Sequence, residues 1–238
     1  MAKSRALRRK KRRKILRIVL TFCILCLVGN MLIKSELFSS LLEMNATANN
    51  EHVISASEEW NLIVVNRWNK IQEDYSVTLT ELSNGQKVDS KIYPNLQEMF
   101  DAMRAEGIYP VVREGYRTAE EQQVILDERI QRYRNEGYSN SRAERIAKEW
   151  VAVPGTSEHQ LGIAVDINAD KSRSTNDEVY QWLAENAYKY GFNLRYPQGK
   201  EDITGGAYEP WHYRYVGTEA ALEIYQNQIC LEEYMENN

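Results

Sequence analysis

The passage that decides the reading is Ser157-Glu-His-Gln-Leu-Gly-Ile-Ala-Val-Asp-Ile-Asn168. Ile163, Val165 and Ile167 alternate with Ala164, Asp166 and Asn168, the period of a strand that buries one face and turns Asp166 to the other. An aspartate within so apolar a strand is costly unless it is paired or bound to a cation. Seven residues back, across a bend that Gly162 allows, His159 can approach the same point. A second unusual passage, Tyr208-Glu-Pro-Trp-His-Tyr-Arg-Tyr215, supplies another histidine beside a glutamate. Pro210 forbids a regular helix there, so Glu209 and His212 cannot be the i, i+3 pair of a helical metal motif. They have to converge through extended or kinked backbone.

Outward from these passages the chain mixes helices and strands without regular βαβ alternation. Leu62–Val65 and Tyr75–Thr80 read as strands, the second with period-2 alternation, and Asn84-Gly85 as a turn. Leu96, Met99, Phe100 and Met103 mark one face of a helix that ends at Gly107, followed by a strand over Ile108–Val112. Thr118-Ala-Glu-Glu121 is a capping box opening a helix toward Gly137, with Leu126, Ile130 and Tyr133 on its buried side. Further helices are predicted over Ser141–Ala152, around Val179, Trp182, Leu183, Ala187 and Tyr190 up to Gly191, and over Thr218–Glu236. The expected class is α+β, with helices packed on a small, largely antiparallel sheet that carries the site. No internal repeat is visible.

Charge is divided unevenly. The 238 residues hold 30 Lys+Arg and 34 Asp+Glu, but residues 1–34 carry 11 of the basic groups and no acid, leaving 19 against 34, a net of −15, for the rest. An acidic body of this kind repels nucleic acid, so no nucleic-acid partner is expected. The basic run through Arg17 precedes sixteen uncharged residues, Ile18–Ile33. At about 1.5 Å per residue they cover roughly 24 Å, and Arg17 and Lys34 can snorkel to extend the span. The expectation is a single-pass N-terminal transmembrane helix over residues 18–34. It puts a basic cytoplasmic tail, residues 1–17, on one side of the cell membrane and everything after the anchor outside the cytoplasm. A cleaved signal peptide is the competing reading, although Ala46-Thr-Ala48 lies thirteen residues beyond Ile33, far for a processing site. Residues 35–59, rich in Ser, Asn, Ala and Glu, read as a stalk, and residues 60–238 as the working domain. Cys23 and Cys26 fall in the apolar segment, so Cys230 is alone in that domain and no disulfide can form within it.

Only three histidines occur, His52 in the stalk, His159 and His212. Two neutral imidazoles and the Asp166 carboxylate are a familiar set for a catalytic zinc with an open position for water. A free carboxylate such as Glu209 beside that water can take its proton and pass it to a leaving amine. The plainer alternative, a hydrogen-bonded core histidine in a Trp-His-Tyr setting, stays open on spacing alone.

Gly115-Tyr-Arg-Thr118, Ser157-Glu-His-x-x-Gly-x-Ala-x-Asp166 and Glu209-Pro-Trp-His212 occur here in the order and context of the VanY-type D-alanyl-D-alanine carboxypeptidases, zinc metallopeptidases with L,D-carboxypeptidase relatives. Tyr188–Phe192, Leu194–Pro197 and Arg214–Gly217 are also similar to that family, and the resemblance covers about Trp60 to Tyr234. It implies one zinc ion held by His159, Asp166 and His212, with Glu209 as general base and acid. It implies that Arg117 grips the terminal carboxylate of the substrate, as a guanidinium fork can, with Ser157 and Gln122 helping at the substrate site. The implied substrate is a peptidoglycan stem peptide ending in D-alanine, which an outward-facing, membrane-held enzyme would meet directly. The rivals are an L,D-carboxypeptidase acting on tetrapeptide stems and a non-catalytic peptidoglycan-binding module. One departure stands out. Many members have a serine shortly before Gly-Tyr-Arg, whereas this chain reads Val112-Arg-Glu-Gly-Tyr-Arg117, which adds Arg113 and Glu114 beside the proposed clamp.

Overall fold

A computed structural model describes residues 60–237. The predicted tail, membrane helix and stalk lie outside the described residues. Among those that are described, no helix is long and apolar enough to cross a membrane.

The elements follow in the order β1 (Leu79–Glu81), β2 (Lys87–Asp89), α1 (Tyr93–Ala105), β3 (Pro110–Glu114), α2 (Ala119–Asn135), α3 (Asn140–Trp150), β4 (Ala164–Ala169), α4 (Asn176–Asn186), β5 (Phe192–Leu194), α5 (Glu201–Thr204), β6 (His212–Tyr215), α6 (Thr218–Asn227) and α7 (Leu231–Asn237). Short 3₁₀ turns occupy Glu158–Leu161 and Ala187–Tyr190. β1 and β2 form a hairpin, and the main sheet runs β3-β4-β6-β5 with every pair antiparallel. This is the expected α+β arrangement.

The alternation in β4 does what its sequence pattern demands. Val165 and Ile167 are fully buried, and they join Val112, Tyr213, Leu96, Met99, Met103, Val179 and Leu183 in the main core. Helices α1 and α4 therefore cover one face of the sheet. The other face carries Asp166, His212 and Arg214, and the site forms there. α2 and α3 pack on each other through a small core of Leu126, Ala147 and Val151, joined by Ile130 and Tyr133. The capping box is present: the Thr118 hydroxyl accepts from the Glu121 amide, and the Glu121 carboxylate accepts from the Thr118 amide.

Three predicted elements differ. Leu62–Val65 is not a strand, because the carbonyls of Asn61 and Ile63 are taken by the Arg214 guanidinium, at 3.0 and 2.9 Å, in place of a strand neighbour. Of Tyr75–Thr80 only Leu79 onward joins a ladder, while the Tyr75 hydroxyl donates to Leu161 O at 2.8 Å. The final helix breaks in two at Gln228, whose φ of 53° is left-handed. There the Ile229 amide closes back onto Ile224 O, and the Cys230 amide, held by the Glu233 carboxylate, starts α7.

Candidate active site

Register assembles the site. Glu114 pairs with Asp166 across β3 and β4, and Asp166 pairs with His212 across β4 and β6, so the three stand in one row across the sheet. An irregularity between Val112 and Glu114 lets the β3 end of the row bend. The His212 ring places Nδ1 3.0 Å from Asp166 Oδ1, and His159, from the 3₁₀ turn, brings Nε2 to 3.5 Å from the same oxygen. The two rings meet edge to face with centroids 4.9 Å apart.

The outer nitrogen of each imidazole faces an oxygen, but only that of His159 is hydrogen-bonded. His159 Nδ1 lies 2.8 Å from Gly115 O, and His212 Nε2 lies 3.5 Å from Glu158 Oε2. That leaves His159 Nε2, Asp166 Oδ1 and His212 Nδ1 converging, with the ligand atoms of these three residues within 4.8 Å of one another. Asp166 Oδ1 is buried without a hydrogen-bond partner. An orphaned carboxylate oxygen between two imidazole nitrogens fits one divalent cation, and the hydrogen bond between His159 Nδ1 and Gly115 O is the kind that orients a metal-bound histidine.

Glu209 sits in the loop before β6, where the His212 amide donates to Glu209 O and tightens the Pro210-Trp211 turn. Its Oε2 is 3.7 Å from His212 Nδ1. Burial pushes the Glu209 carboxyl up to about 7; Asp166 adds to the effect, and His212 and Arg117 oppose it. A carboxyl poised near neutrality can accept and return a proton at working pH. Burial also works to raise Asp166, but His159 and His212 outweigh it and keep the carboxyl well below the usual range.

Arg117 reaches the same cleft with its side chain only 13% exposed. Its Nη1 donates 2.7 Å to Gln122 Oε1, and the Gln122 amide donates in turn to Ala152 O at 2.7 Å. Gln122 is thus buried, with both ends of its amide engaged, and what it touches is Arg117. Ser157 is also buried on the wall of the cleft. The structure brings all seven sequence-predicted site residues to one cleft of about 1100 Å³.

Sequence reasoning passed over the charges beneath the site. Glu158, Arg195 and Arg214 are almost wholly buried. Glu158 Oε1 accepts from Arg195 Nε at 2.7 Å and from Arg214 Nη1 at 2.8 Å, while Arg195 also grips Glu232 of α7 with both terminal nitrogens. Burial alone would raise Glu158, but the two guanidiniums outweigh it and hold the carboxyl far below the ordinary range. A signal was available: Arg214 interrupts the aromatic run Tyr213-Arg-Tyr215 inside a strand, where a lone cation has to find an anion.

The family model described as VanY, D-alanyl-D-alanine carboxypeptidase, matches residues 85–218. The chain belongs to this family. A D-alanyl-D-alanine carboxypeptidase of Enterococcus faecalis is 58% identical over 178 residues, 75% of this chain and 66% of that protein. The putative carboxypeptidase YodJ of Bacillus subtilis is 45% identical over 59% of this chain and 50% of its own. The chain therefore spans between half and about two thirds of these relatives. The solved structure of a point mutant of the vancomycin resistance D,D-pentapeptidase VanY from the VanB-type cassette, in complex with Zn(II), has 58% identity and a TM-score of 0.73, covering 74% of this chain and 99% of that one. The LdcB LD-carboxypeptidase has 37% identity and a TM-score of 0.63, over 75% of this chain and 87% of its own. Motif resemblance and family membership thus agree, and the VanY fold extends across nearly all of the described residues.

Proposed function

We propose that this chain is a zinc D-alanyl-D-alanine carboxypeptidase that removes the terminal D-alanine from peptidoglycan stem peptides. The observation that carries the proposal is the convergence of His159, Asp166 and His212 on one point, with Glu209 and the Arg117 guanidinium opening onto the same cleft. His159 Nε2, Asp166 Oδ1 and His212 Nδ1 would hold the ion. Bound zinc supplies a water of lowered pKa and positive charge where the carbonyl oxygen becomes an oxyanion.

The protein's own groups do the rest. Arg117 takes the terminal carboxylate of the substrate in its fork, and Gln122 fixes the plane of that fork. Ser157 completes the wall near the carboxylate. Glu209, with Oε2 3.7 Å from His212 Nδ1, removes a proton from the attacking water and returns it to the departing amine of D-alanine. Glu158 stands behind His212, its Oε2 3.5 Å from Nε2.

Residues 18–34 serve as a membrane anchor in this reading, with residues 1–17 cytoplasmic, residues 35–59 as a stalk, and the domain over residues 60–238 meeting the wall outside the cell. The uncharged stretch and its basic flank support this arrangement. Mass-spectrometric digestion of synthetic stem pentapeptide and tetrapeptide, with zinc, with chelator and with Glu209→Ala, tests the function. Chelator-sensitive release of D-alanine from the pentapeptide, lost in the variant, is expected. Cleavage of the tetrapeptide alone would move the assignment to an L,D-carboxypeptidase, the activity named for the similar LdcB. Cleavage of neither would leave a binding module.

A further inference from the structure

The cleft that holds the metal ligands is also lined by α2. Gln122, Ile125, Arg129 and Arg132 all line it. Their spacing of three, four and three residues puts them in one stripe on the helix. At about 1.5 Å per residue, Arg129 and Arg132 stand roughly 10 and 15 Å along α2 from Gln122, the residue that orients the carboxylate clamp. Arg129 is half-buried, and close enough for its charge to act on the Glu209 carboxylate. Arg113, from the β3 end of the site row, lines the same cleft.

These guanidiniums are free to take a ligand. Arg145 and Lys148 on α3 are engaged by Glu149 and Glu144, at 3.9 and 2.6 Å. Among the described residues, Arg113, Arg129 and Arg132 have no ion pair within 4.0 Å. Of the carboxylates on this wall, Glu114 faces Arg117 at 4.0 Å and Glu149 faces Arg145, which leaves Glu128, with Glu209 across the cleft from Arg129, to offset three cations. The wall is net positive although the chain from residue 35 onward carries −15. A local reversal of sign inside a cleft selects anions.

We infer that Arg129 and Arg132, aided by Arg113, form a subsite for a carboxylate carried by the substrate upstream of the cleaved bond, so that acidic stems are preferred over their amidated counterparts. This inference rests on the carboxypeptidase reading of the site. An extended peptide advances about 3.3 Å per residue, so the 10 to 15 Å along α2 matches roughly three to four residues back from the terminal carboxylate. Arg129 and Arg132 are one turn apart, near enough to share a single carboxylate between two forks.

The test uses the zinc-loaded full-length chain and two synthetic pentapeptides ending in D-Ala-D-Ala, one with a glutamate at the second position and one with its primary amide. Both kcat/KM by D-alanine release and affinity by calorimetry are measured. The acidic peptide is expected to lead in both by about five- to tenfold, a lead that narrows as salt rises. Arg129→Gln with Arg132→Gln should bring the ratio close to one, and Arg129→Glu with Arg132→Glu should invert it. Thermal melting of each variant checks that it is folded. Equal handling of the two peptides by the native chain, or a ratio the variants leave unchanged, overturns the subsite. If neither peptide is cut but the acidic one still binds more tightly through these arginines, the subsite stands and the catalytic reading falls.

Discussion

Gln122 Oε1 accepts a 2.7 Å hydrogen bond from Arg117 Nη1 while the other end of its amide is tied to the Ala152 carbonyl. The guanidinium is therefore aimed before substrate arrives, its plane set by a residue that is itself anchored to the backbone. Arg117→Ala should raise KM for a D-alanine-terminated peptide by roughly 10- to 100-fold, the worth of a charge-assisted pair. Arg117→Lys should recover little, since an ammonium offers no fork. Gln122→Ala should raise KM by about three- to tenfold with a smaller effect on kcat, because the guanidinium remains but loses its aim. Steady-state kinetics separates these outcomes, and a Gln122 variant with native KM would remove the positioning role.

Glu209→Gln keeps size and hydrogen bonding but cannot take up a proton. We expect kcat to fall by about 10²- to 10⁴-fold while zinc content, by atomic absorption, stays at one per chain. Loss of metal together with activity would instead make Glu209 a ligand.

Removing the metal should cost stability. The Asp166 Oδ1 oxygen is buried without a hydrogen-bond partner, beside two buried imidazoles. Zinc at about a hundredfold excess over its Kd should stabilise the fold by roughly 2.7 kcal/mol, or about 5–10 °C in Tm for a domain of this size. Scanning calorimetry with chelator, and again after zinc is restored, reads the shift. His212→Ala should melt at the same temperature with and without zinc.

Glu158 holds two buried arginines. Glu158→Gln should destabilise the fold by about 3–5 kcal/mol, because Arg214 then loses its carboxylate partner and Arg195 retains only Glu232. The folded carboxyl is held far below the ordinary range, so its contribution is complete above the unfolded pKa, about 4.3, and is lost as pH falls through the folded value. The gap between wild type and variant in urea unfolding should accordingly be full at pH 7 and narrow as the pH drops below about 4.

Gly115 is required for space. Its backbone is not in the left-handed region, but a Cβ there would run into the Lys87 carbonyl oxygen, which also accepts from the Tyr116 amide. The Gly115 carbonyl holds His159. Gly115→Ala should therefore weaken zinc binding by about 10- to 100-fold through the moved ligand, as loss of an outer hydrogen bond does elsewhere. Competition with a chromogenic chelator measures it.

The sequence by itself determined the alternation that buries Val165 and Ile167 and turns Asp166 away, the capped start of α2, and the set of residues that meet in the cleft. These are local matters: a period of two, a capping box and a proline that forbids a helix are properties of neighbouring residues, and the motifs carry their family's pattern within a few positions. Tertiary structure alone decided the rest. Whether Leu62–Val65 became a strand depended on Arg214, more than 140 residues away, claiming the carbonyls that a ladder would have used. The Gln228 break depended on where α6 could close its last turn. Glu158, printed beside His159, belongs energetically to Arg195, Arg214 and, through Arg195, to Glu232. A buried charge is tolerated only by partners brought from distant segments, and one-dimensional order does not record which segments the sheet will place side by side.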